Sequence, residues 1–215
     1  MVDWKERVTL AHYLELFARL DPVEAAQRCN LHFNSERFSV RLLGVNYQIY
    51  HPSFDITPED AVNNDGHGDT LTTNEKILLA RYLCEGCWKP SSGNALSYRE
   101  VPWGELYFRN FEARCIRRLA RAFGQEPELF IRVFEDFSEV YPEKKAENHP
   151  AYRFEFISNF SMCLHLWPGD DEFPPSAQIL FDDNMPGAFT AEDLAVVGDV
   201  VIDRLKKRAL RLAGR

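Results

Sequence analysis

Residues 164–182 read LHLWPGDDEFPPSAQILFD. Leu164 and Leu166 alternate with His165, the two-residue period of a strand with one buried face. After Trp167 come three consecutive carboxylates, Asp170, Asp171 and Glu172, then Phe173 and the pair Pro174-Pro175. Ile179–Phe181 resumes as a short apolar strand, ending in Asp182. Turn chemistry, charge and large apolar groups packed this densely predict a shaped surface loop between two strands, and such loops often carry function.

The same alternation appears on either side. Phe154 and Phe156, followed by Met162, Leu164 and Leu166, predict one hairpin; Phe38, Val40 and Leu42, then Val45, Tyr47 and Ile49 after Gly44, predict an earlier one. With Ile179–Phe181 this makes about five strands. Helical spacing fills most of the rest. A helix is expected over Lys5–Ala18, and a second begins with Asp21 as N-cap and Pro22 at its first position. Thr72 and Glu75 form a capping box for a helix burying Ile77, Ala80, Leu83, Cys84 and Cys87. A helix over Glu105–Phe123 stops at Gly124, read as a C′ glycine, and another spans Pro127–Phe137. Thr190 and Asp193 cap a final helix reaching Leu210. Ser53–Thr70 reads as a long loop with one helical turn at Pro58–Val62, Lys89–Asn94 as a second loop, and Glu139–Pro150 as a charged, exposed segment. Paired strands joined by short turns, with helices in separate blocks, predict an α+β fold with a mostly antiparallel sheet. No boundary divides the chain, so 1–215 is expected to be one domain, with residues 1–20 as a helix at its periphery.

The hydrophobic content is 45%, and sixteen Phe can supply a large core. A net charge of -8 argues against general nucleic-acid binding, which needs basic surface. No run approaches the roughly 20 apolar residues of a membrane span. The N-terminus lacks a signal-peptide layout. Five cysteines without an export signal point to reduced thiols and a cytoplasmic setting.

Several groups offer chemistry. Asp170, Asp171 and Glu172, with Asp182 and Asp183 beyond, carry the oxygens a hard cation needs. A carboxylate pressed against Trp167 or Phe173 would have a raised pKa suited to acid–base work. Against both stands the simpler reading of a solvated turn, and the spacing matches no calcium loop. Cys84-Glu85-Gly86-Cys87 has redox spacing, but it ends a helix, where the dipole opposes thiolate; two core cysteines are the economical account. His67, between Gly66 and Gly68, can approach a ligand closely, or sit in a loop with no site. Arg114, Arg117, Arg118 and Arg121 share a helical face able to clamp an anion, although pairing with the chain's own acids is simpler. Lys206-Lys207-Arg208 complements a helix C-terminus. His165, on one strand face with Cys163 and Trp167 beside the acidic turn, is the best single histidine for a site. Common catalytic signatures (GxSxG, Walker A, GxGxxG, HExxH) are missing.

The block LHLWPGDDEFPPSAQILFDDN resembles the signature of the DUF3786 family. The order around it agrees: FSVRLLGVNYQIYHP, EKILLARYL, SYREVPWGELYFRNFEARCIRRLARAFG and the closing AEDLAVVGDVV. The resemblance covers about Pro22 to the C-terminus. It implies an uncharacterised family of anaerobic bacteria and archaea, associated with one-carbon or corrinoid metabolism and without assigned catalytic residues. Some members carry an additional four-cysteine iron–sulfur domain; this sequence lacks that cysteine cluster, so a cluster-bearing role is not carried over. Phe137-Ser138-Glu139 stands where the family has a small-residue turn.

The leading expectation is therefore a cytoplasmic accessory or small-ligand-binding protein. Trp167 and Phe173 would be its apolar walls; Asp170, Asp171 and Glu172 would be its polar selectors, with His165 beside them. A metal-assisted enzyme using the same carboxylates, and a module binding a protein partner through the acidic loop, are the alternatives. The sequence names no cofactor and no metal ligand set.

Overall fold

A computed structural model describes residues 4–59, 70–136, 140–142 and 149–214. They gather into two compact units: Met1–Pro90 with Ile157–Asn159 and Gly187–Phe189, and Ser91–Phe156 with Phe160–Pro186 and Thr190–Arg215.

In the first unit, α1 (Trp4–Arg19) and α3 (Thr73–Glu85) pack together, with α2 (Pro22–Cys29) beside α3. Asp21 caps α2 by accepting from the amides of Val23 and Glu24 at 2.9 and 3.0 Å. The Thr72–Glu75 box caps α3. The last turn of α3 has no basic residue of its own; Arg28 of α2 donates instead to the carbonyls of Leu83 and Cys84 at 2.8 and 3.0 Å, satisfying acceptors the helix leaves open. β2 (Arg37–Leu42) and β3 (Val45–Tyr50) form the expected hairpin. Its two-residue turn, Leu43-Gly44, has φ of 48° and 82°, the doubly left-handed geometry that matches strand twist. β1 (His32–Phe33) pairs with β2 and β4 (Ile56–Pro58) with β3, and Leu42 also pairs with Ile157. Phe17 sits against Phe38 and Phe54 at ring separations of 5.9 and 5.0 Å.

In the second unit the strand order is β6 (Val140–Pro142), β7 (Ala151–Ile157), β8 (Phe160–Trp167), β9 (Ser176–Asp182), β5 (Ala95–Ser97). Helices α4 (Gly104–Phe111), α5 (Arg117–Phe123), α6 (Pro127–Glu135) and α7 (Ala191–Leu212) belong to this unit. Phe111, Phe123, Phe130, Phe134, Phe156 and Phe181 are buried in its core. Tyr98 stacks flat on Phe111 at 3.9 Å and donates its hydroxyl to the Ala191 carbonyl at 2.8 Å.

The α+β, antiparallel expectation holds, but the described residues contain nine strands, not five. The extra ones, β1, β4, β5 and β6, have two or three residues each, too short to show a period. The single helix expected over Glu105–Phe123 is interrupted by a π-helical segment, Glu112–Ile116. Gly124 is not a left-handed C′ glycine: its φ is -67°. In α3 the buried set is Leu78, Leu79, Ala80, Tyr82 and Leu83, with the capping Glu75; Ile77 and Cys84 are half-buried, and Cys87 is exposed. Pro58 closes β4 instead of starting a helical turn. Asp60–Asp69, with His67, and Phe137–Glu139 lie outside the described residues.

Candidate functional site

Alternation along β8 sorts its side chains onto two faces. Phe160, Met162, Leu164 and Leu166 are buried, and the last three face Phe181, Ile179 and Ala177 across the ladder. Cys163, His165 and Trp167 lie on the opposite face, across from Leu180, Gln178 and Ser176. Two residues beyond Leu180 along β9, Asp182 pairs with Arg153 of β7.

The polar face is organised around His165. Its Nδ1 lies 2.9 Å from Nε2 of His149, and its Nε2 lies 3.4 Å from the Cys163 sulfur. The His149 ring stacks on Trp167 at 4.2 Å, and the His165 ring lies 5.7 Å from Trp167 at an interplanar angle of 14°. Cys163, His165, His149 and Trp167 therefore form one continuous row. Because His165 faces its two partners with opposite ring nitrogens, the row is a relay and cannot converge on a single ion. Among the described residues no group of three or more His, Cys, Asp or Glu is arranged to hold a metal ion. With the thiol donating to Nε2 and Nδ1–H donating to His149, all three groups are neutral. Shifting both protons along the row would give a thiolate and a doubly protonated His149. Burial, which pushes the His149 pKa down, opposes that state.

His149 was not singled out in the sequence, where it is a lone histidine before Pro150. The hairpin register contains the missing signal: counting outward from the Ser158-Asn159 turn brings His149 level with Pro168, next to Trp167. The Leu166 amide donates to the Pro150 carbonyl at 3.0 Å, one residue off that count, which brings His149 to Trp167 itself.

The acidic turn follows directly. The Asp170 carboxylate accepts from the amides of Glu172 and Phe173 at 2.9 and 2.7 Å, while its own amide donates to the Phe173 carbonyl at 3.0 Å. Those backbone bonds, the Phe173 amide first, hold the Asp170 pKa below the ordinary carboxylate range, opposite to the raised value expected of an acid pressed against an aromatic ring. Asp171 and Glu172 are exposed, and Phe173 is 67% exposed. Asp183 is also held low, by the hydroxyls of Ser92 and Ser91.

The base of the loop is fixed tightly. A Cβ on Gly124 would lie 2.2 Å from Cβ of Pro175, and one on Gly169 would lie 2.8 Å from Cδ of Pro175. The Gly169 amide donates to the Gly124 carbonyl at 3.2 Å. Gly124 is thus a packing glycine that lets the loop seat against the end of α5.

Several of the other sequence candidates have local roles. Arg114 and Arg118 pair with Asp199 of α7, Arg118 also with Asp203, and Arg117 with Glu112. Arg208 pairs with Asp136. Cys84 is pushed up to about 11 by burial, and Cys87 is exposed. No described helix is long and apolar enough to cross a membrane.

No curated protein and no solved structure matches this chain. One family model does, over residues 21–204, a span that includes the β8 row, the acidic turn and the glycines beneath it. The chain belongs to the DUF3786 family, described as a domain of unknown function.

Proposed function

We propose that this chain is a cytoplasmic small-ligand-binding protein of anaerobic metabolism, acting as one domain and without affinity for nucleic acid. Its ligand would contact the Trp167 end of β8. Trp167 and Phe173 supply apolar surface, Asp171 and Glu172 the neighbouring charge, and the His149–His165 pair the hydrogen-bonding edge; Asp170 shapes the turn. The observation that carries this reading is the 2.9 Å imidazole pair set in one row with the Trp167 ring. Aromatic surface beside convergent polar groups is what small-molecule recognition requires. Binding is favoured over thiol catalysis because Cys163 is only 1% exposed, whereas a nucleophile must reach its substrate.

The test is a thermal-shift panel of divalent metal ions, cobalamins and nucleotides. A ligand at 100 times its Kd stabilises by about 2.7 kcal/mol, a rise of roughly 5–10 °C for a chain of this size. At least one class is expected to produce such a rise, cancelled by Trp167→Ala and by His165→Gln. No shift with any member, or a shift that survives both substitutions, refutes the reading.

A further inference from the structure

The first unit contains a cavity of about 500 Å³ remote in sequence from the β8 row. Its walls include Leu10 and Leu14 of α1, Tyr47 of β3, Phe54 and Leu71. The volume falls within the range of small-molecule sites, and the lining mixes these apolar side chains with the polar Ser53 and Thr70. Two charged side chains reach the wall, Asp55 and Lys76. They are not equivalent. Asp55 is exposed and already accepts from the Ser53 hydroxyl at 2.6 Å, so it is a solvated group at the rim. Lys76, in the first turn of α3, is half-buried, and its ammonium makes no hydrogen bond or ion pair among the described residues. An unpaired ammonium beside apolar walls is suited to an anionic partner.

We propose that this cavity binds an amphipathic monocarboxylate, with its apolar body against Leu10, Leu14, Tyr47 and Phe54 and its carboxylate on Lys76. Asp55 at the rim disfavours ligands of higher negative charge. The site uses none of the residues of the β8 row and stands or falls separately from it.

Isothermal titration of the intact chain with decanoate, decanol and decylamine tests the assignment. Decanoate is expected to bind at least tenfold more tightly than either of the others. Lys76→Met, which keeps the length of the side chain, should erase that preference while leaving decanol binding unchanged. Leu14→Trp should weaken all three by filling the cavity. Circular dichroism confirms that each variant is folded. Failure of decanoate to bind, equal binding of decanoate and decanol, tighter binding of decylamine, or a carboxylate preference that survives Lys76→Met each overturns the proposal.

Discussion

His149 shows how a single side chain gains its character from its surroundings. Burial lowers its pKa, so folding favours the neutral ring. The sign of the linkage follows: below the ordinary value near 6.5 the unfolded chain takes up a proton that the folded chain resists. His149 therefore lowers stability as pH falls through that value, and stability returns as pH rises back through it. Replacing it with Gln, which keeps a hydrogen-bonding side chain but does not titrate, should flatten this part of the profile. Urea unfolding of both proteins between pH 5 and pH 7.5 measures it: the wild type should lose more stability than His149→Gln on going to pH 5. Parallel profiles would mean that His149 has the same proton affinity folded and unfolded. Asp170 is the opposite case, a carboxylate kept charged by two backbone amides. Its sequence context, beside Trp167 and Phe173, suggests a raised pKa; only the turn geometry reveals the amides that lower it.

Among the elements, α7 and the π-helical segment approach each other closely at Gly198. A Cβ on Gly198 would lie 2.8 Å from the Cys115 sulfur and 3.4 Å from the Phe111 ring. Alanine is the better helix former by up to about 1 kcal/mol, but overpacking costs about 1–3 kcal/mol. Gly198→Ala should therefore destabilise by roughly 1–2 kcal/mol in chemical denaturation. Adding Cys115→Ala removes the clashing atom, so the double variant should be more stable than the sum of the single effects by about 1 kcal/mol or more. Simple additivity would show that the helices move apart instead. Sequence periodicity read this region as one continuous helix because Phe111, Cys115 and Leu119 keep a four-residue spacing across the π turn. Capping boxes were legible for the opposite reason. Thr72 with Glu75, and Thr190 with Asp193, satisfy their helix ends locally and need no distant partner. Gly124 was misread because its constraint comes from Pro175, fifty-one residues further along the chain.

Across the whole chain, the five cysteines report on both units at once. Burial pushes Cys29 and Cys84 up to about 11 and Cys115 up to about 12. Cys163 is buried in the β8 row, and Cys87 is exposed. Thiolate is the reactive form, so the native protein at pH 8 should show one fast-reacting thiol toward a disulfide reagent, and Cys87→Ser should remove it. In denaturant all five should react. A second fast thiol in the native protein would show that one of the units opens readily. The fold class was legible from long alternating segments and strong caps, and the β8 face from Cys163, His165 and Trp167 spaced two apart. The cavity beside Lys76 was not, because its walls come from four separate stretches between Leu10 and Lys76 whose convergence leaves no local pattern.

The glycines and proline beneath the acidic turn divide its sequence into two kinds of position. Gly124, Gly169 and Pro175 are interlocked, and any side chain added at either glycine collides with the proline. Asp171, Glu172 and Phe173 project from this base into solvent and meet no such restriction. A frame that tolerates no change, carrying a tip that tolerates many, resembles a socket with exchangeable bits. The tip can be rewritten to suit a different ligand without refolding its support, and a library randomised at those three positions, with proline excluded to keep the amides that hold Asp170, should yield folded proteins.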